Sequence, residues 1–131
     1  MWEAYGLKNE DFLWAGTAFR GGIAGQQQAT CGAVAASALA LGLRHRCSLA
    51  DKEKAEQARK ATNDDAADLV RSFIQRFGAV TCFELTGVDF SDEKAVKQAI
   101  DSGLLKCSQQ VQFVIEKLYE LEDKRNLPET P

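Results

Sequence analysis

Apolar residues recur along most of the chain at spacings of three and four, the mark of helices that bury one face. The clearest case is Val111, Val114, Ile115, Leu118 and Leu121, which predicts an amphipathic helix from about Cys107 to Arg125. A second series runs through Ala58, Ala61, Ala66, Leu69, Val70, Phe73, Ile74 and Phe77. It predicts a long helix opening at Ser48, with Asp51 three residues on in a near relative of the capping box, and closing at Phe77 with Gly78 as its cap. Asn63-Asp64-Asp65 is a point where that helix could divide, and the charged tract Asp51 to Asp65 reads as a solvated face. Between Thr30 and Leu43 nearly every face is apolar, with alanine dominant, as in the central helix of a bundle whose neighbours approach closely.

Shorter elements complete the pattern. Asn9 is a predicted N-cap, with Glu10 and Asp11 in the first turn of a helix reaching about Arg20. Phe12, Leu13, Trp14, Ala15 and Phe19 would form its broad buried stripe. Met1–Tyr5 looks like a helix tail stopped by Gly6. Thr81 and Glu84 form a T-x-x-E capping box around Cys82, and the helix it opens should end near Gly87. Val80-Thr81-Cys82-Phe83 has strand propensity, but the capping box favours helix. Ser91, followed by Asp92 and Glu93, opens another helix that ends near Gly103. The expected fold is all-α: a single domain over residues 1–131, built as a compact bundle of five to six helices around the small-residue central one.

Composition narrows the function. Sixteen Lys and Arg against nineteen Asp and Glu leave a net charge of −3, with no basic excess for a nucleic-acid backbone. The longest weakly polar run, Gly32 to Leu43, is shorter than the ~20 residues of a membrane helix. With no basic leader either, the expectation is a soluble cytoplasmic protein. Pro128 and Pro131 lie at the C-terminus, and 19 alanines favour helix elsewhere.

The candidate chemistry rests on cysteine. None of the four, Cys31, Cys47, Cys82 and Cys107, lies in a CxxC pair, so thioredoxin, zinc-ribbon and c-type haem motifs are excluded. Cys31, Cys82 and Cys107 share one predicted context, the start of a helix. There, unpaired N–H groups and a partial positive charge favour thiolate and metal ligation. The plain alternative for each is a buried structural cysteine. Cys47, in Arg44-His45-Arg46-Cys47, stands apart as a loop residue. His45, the single histidine, excludes a His-rich zinc site. Gly21, Gly22 and Gly25 precede the central helix and could cradle an anion or sulfur ligands in a backbone nest; alternatively they serve packing, with the loop lying against Cys31. No dinucleotide fingerprint or phosphate loop is present.

The segments Phe19-Arg20-Gly21-Gly22-Ile23 through Thr30-Cys31-Gly32-Ala33, Thr81-Cys82-Phe83-Glu84-Leu85 and Lys106-Cys107 resemble the C_GCAxxG_C_C family of redox-active proteins. The resemblance covers most of the chain. It implies a helical fold, a CGAxxG motif and four characteristic cysteines, of which Cys31, Cys82 and Cys107 match the last three. Ala36 replaces the final motif glycine. The first family cysteine would fall on a helix before residue 1, and Cys47 does not align with it.

Two functions follow as expectations. The first is a redox protein in which Cys31, Cys82 and Cys107 converge. They would either cycle between dithiol and disulfide with a redox partner protein, or ligate a metal ion or iron–sulfur cluster completed by Cys47, solvent or a second subunit. The other is a non-enzymatic binding or adaptor domain with structural cysteines, whose apolar groove a partner or a second copy would fill in a homodimer.

Overall fold

The computed structural model describes residues 6–126. Its elements are α1 (Asp11–Ala15), a 3-10 turn (Thr17–Phe19), α2 (Gly32–His45), α3 (Lys52–Phe77), α4 (Cys82–Thr86), α5 (Glu93–Asp101) and α6 (Cys107–Asn126). The fold is all-α, without strands among the described residues. Helices α2, α3 and α6 pack on one another around Val34, Leu41, Leu69, Phe73, Val114 and Leu118. Phe73, Phe77 and Phe113 close one end of this core, with ring centroids 4.8, 5.5 and 6.0 Å apart.

Local chemistry accounts for the helix ends. Asp51 accepts from the N–H of Lys54 at 3.1 Å and so caps α3, while Ser48 only braces the preceding turn through Ala50 N–H. Asp92 caps α5 through Lys94 and Ala95, both at 3.0 Å, one residue beyond the expected Ser91. Gly78, at φ 83°, donates its N–H to Ile74 O and ends α3 as predicted.

Several expectations change. Helix α3 runs through Asn63-Asp64-Asp65 without a break, and Asp65 is buried, not solvated. Asp65 sits between α2 and α6, accepting two hydrogen bonds from Arg125 at 2.8 and 2.7 Å and pairing with His45 at 2.7 Å. The helix expected up to Arg20 stops at Gly16 and resumes as the 3-10 turn. Its buried stripe does not form among the described residues: no residue of α1 is buried, and Trp14 is 73% exposed. On the central helix α2, Ala36 and Ala38 are exposed, on different sides of the helix, so it is not covered on every face. Val111 and Ile115 of α6 are likewise exposed. The helix tail expected at Met1–Tyr5 lies outside the described residues.

Candidate functional site

Each of the three grouped cysteines stands at a helix start. Cys31 is the N-cap of α2, Cys82 is the first residue of α4, and Cys107 is the first residue of α6. Backbone pairing holds the first two together. Cys31 N–H donates to Val80 O at 2.7 Å, and Cys82 N–H donates to Ala29 O at 3.1 Å, around an isolated antiparallel bridge between Thr30 and Thr81. The strand propensity of residues 80–83 is expressed in that one bridge, after which the chain turns into α4. Thr81 is the N-cap of α4, but the expected capping box does not form: Thr81 Oγ1 donates to the Glu84 carboxylate instead of accepting from a backbone N–H. Helix α6 is tied in by Gln110, one turn after Cys107. Gln110 is buried, and its Oε1 accepts a weak bond from Cys31 Sγ at 4.0 Å.

All three thiols line one cavity of about 480 Å3. Their exposure is graded: Cys82 is buried, Cys31 half-buried and Cys107 exposed. Much of the remaining wall is apolar, from Phe19, Ala36, Leu85, Phe90, Val111 and Ile115. Exposed residues of α2 and α6 thus meet here. Cys47 is exposed and lines a separate hollow with His45, whose ring is held by Asp65.

The electrostatics overturn one expectation. Helix starts should favour thiolate, yet the Cys82 and Cys107 thiols are both pushed up. For Cys82 burial is the largest cause; a hydrogen bond from Gln27 opposes it, and nearby Cys31 and Cys107 add to it. Cys107 is exposed as a residue, but burial against the cavity wall again leads, followed by Cys31; the backbone N–H at the helix start pulls the other way and loses. Desolvation of the anion outweighs the helix terminus.

The glycine loop supports this arrangement. Gly21, Gly22, Ile23, Ala24 and Gly25 have φ of 60°, 61°, 67°, 52° and 78°, a left-handed turn in which two residues carry side chains. Two of its amides and one just beyond it are engaged: Ala24 N–H donates to Ala18 O, Gly25 N–H to Arg20 O and Gln27 N–H to Gly21 O. Those N–H groups are not available as an anion nest. The loop instead lies against Cys82, because a Cβ on Gly22 would stand 2.9 Å from Cys82 Cβ and 2.8 Å from Ala29 O. Gly32 meets Phe19 O in the same way at 2.6 Å.

Two glutamines escaped the sequence reading. Gln27 is buried, donates to Val88 O at 2.8 Å and Thr86 Oγ1 at 3.3 Å, and accepts from Phe90 N–H at 2.8 Å. It fastens the glycine loop to the segment after Cys82. No periodicity marks it within Gln26-Gln27-Gln28. Gln110 does carry a signal: it is a polar residue on the apolar stripe of α6, three residues after Cys107.

Among the described residues no group of three or more His, Cys, Asp or Glu side chains is placed to hold a metal ion. The described residues thus lend no support to the metal or iron–sulfur role expected of Cys31, Cys82 and Cys107, and no step is derived through such a group. No helix among the described residues is long and apolar enough to cross a membrane.

Fold and site together define a helical domain that gathers thiols at one cavity. The family model described as "Putative redox-active protein (C_GCAxxG_C_C)" matches residues 1–121, and the chain belongs to this family. No curated protein and no solved structure matches it.

Proposed function

We propose that the protein carries out thiol–disulfide exchange, with Cys31 as the thiol common to its oxidised states. The observation that carries this is the convergence of Cys31, Cys82 and Cys107 on one cavity, graded from buried to exposed. Cys31 is taken as the central member because backbone pairing sets it beside Cys82 and its Sγ reaches Gln110, one turn after Cys107. Exposed Cys107 meets the substrate first. Its thiolate attacks one sulfur of an incoming disulfide, the S–S bond breaks, and the leaving thiolate takes a proton. Cys31 then attacks the mixed disulfide, forming Cys31–Cys107 and releasing the second substrate thiol. Two electrons pass from the chain to the substrate. Cys82 lies beneath this pair as a reserve partner for Cys31. A reversible dithiol of this kind suits a reducing compartment such as the cytoplasm.

One observation favours a second reading, a binding domain with structural cysteines: burial keeps the Cys82 and Cys107 thiols protonated and slow. Mild oxidation of the reduced native protein, followed by alkylation and peptide mass mapping, separates the two. Exchange predicts one reversible intramolecular disulfide containing Cys31. Alkylation of all three thiols only after unfolding, with no disulfide formed, overturns it.

A further inference from the structure

Convergent thiols alone do not require a cavity of about 480 Å3, a volume typical of small-molecule sites (~300–1,000 Å3). The cavity deepens from exposed Arg20, Cys107 and Ile115 to buried Cys82, Val114 and Leu118. A disulfide on a folded partner protein reaches the mouth but not this depth.

Two hydroxyls and one amide oxygen of the wall are already engaged. Ser37 Oγ donates to Ala33 O at 2.7 Å, Thr86 Oγ1 to Cys82 O at 2.9 Å, and Gln110 accepts from Cys31. Among the described residues Arg20 is the single charged one on the wall. A peptide or multiply charged ligand would lose its water here for few replacement bonds, whereas an apolar ligand gains from burial.

Resting on the exchange reading, the geometry points to a binding site for a small apolar disulfide with no more than one negative charge, held with its S–S bond against the three thiols. The thiolate of one wall cysteine bonds to one ligand sulfur, and the ligand S–S bond breaks. A second wall thiol then closes the protein disulfide. The ligand leaves as two thiols, or one dithiol if cyclic, carrying the two electrons and the two protons.

The test compares three oxidants on the reduced full-length chain: dipyridyl disulfide, its dianionic aryl counterpart dithiobis(nitrobenzoate), and oxidised glutathione. Each rate is divided by that with free mercaptoethanol, to remove intrinsic reactivity. Dipyridyl disulfide should show saturation and a normalised advantage of about tenfold or more, the discrimination an apolar pocket achieves. Ala36→Phe, which fills the cavity from an exposed position on α2, should abolish the advantage while helicity stays constant. Calorimetry with dipyridylethane, the unreactive carbon isostere, should show saturable binding. Exchange with equal normalised rates overturns the inference and leaves the exchange reading standing. Isostere binding without exchange by any oxidant overturns the exchange reading, and the substrate class with it.

Discussion

Gly22 and Cys82 are neighbours across the site: a Cβ on Gly22 would stand 2.9 Å from Cys82 Cβ. Gly22 also has φ 61°. Gly22→Ala therefore combines left-handed strain of ~1–2 kcal/mol with overpacking of ~1–3 kcal/mol, a loss of about 2–5 kcal/mol in all. Gly25→Ala shares only the strain, because the nearest atom to its added Cβ is the Arg20 guanidinium at 3.8 Å. Urea unfolding of the two variants should rank them in that order, and equal losses would dissociate the loop from Cys82.

Ala24 lies in the same left-handed turn at φ 52°. Ala24→Gly removes ~1–2 kcal/mol of native strain and adds ~0.5–1 kcal/mol of unfolded-chain entropy. The net expectation is a gain of about 0.5–1 kcal/mol, read as a higher urea midpoint with unchanged slope.

Cys31→Ser should abolish reversible oxidation, because it removes the partner of both other thiols. Cys82→Ser should keep a Cys31–Cys107 disulfide, and Cys47→Ser should behave as the parent. Counting thiols before and after oxidation checks all three. Full oxidation in Cys31→Ser would move the central role to Cys82 or Cys107.

The raised thiols set a pH dependence. Less thiolate is present at neutral pH than on a free cysteine, so Cys107 alkylation should be slow there, with a midpoint above that of free cysteine. Stability follows the same sign. A group with a raised folded pKa contributes stability below its unfolded value, and this is lost as pH rises through the folded one. Alkaline unfolding should therefore ease in Cys82→Ala relative to the parent, after correction for the cavity penalty measured at neutral pH.

Asp65 acts at the opposite end of the pH scale. Burial alone would raise its carboxyl, but hydrogen bonds from Arg125 and His45 outweigh it and hold the group below its usual range. Its contribution is present above the unfolded carboxyl value and is lost as pH falls through the lowered folded one. Asp65→Ala should cost about 2–3 kcal/mol at neutral pH, less than the ~3–5 of a fully buried pair, because Arg125 is partly exposed. The penalty should shrink in acid; a constant deficit from neutral to acid pH would show that packing, not the ion cluster, is at stake.

The grouping of Cys31, Cys82 and Cys107 was legible because helix caps are local. Threonine before Cys31 and Cys82, and the T-x-x-E box, mark helix starts without reference to the rest of the chain. The thiol electrostatics were not legible. A helix start is a local property, whereas desolvation depends on which walls enclose the sulfur. Gln27 was silent for a similar reason, since its partners Val88 and Phe90 lie some sixty residues away.

The sequence by itself determined the helices of the bundle, the cap at Gly78 and the three cysteines that belong together, because short-range periodicity and capping chemistry act within a few residues. Tertiary structure decided that Asp65 is buried between Arg125 and His45, that the glycine loop supports Cys82, and that exposed residues of α2 and α6 line a cavity. Those outcomes depend on which surfaces meet across the fold, and no spacing along the chain records that.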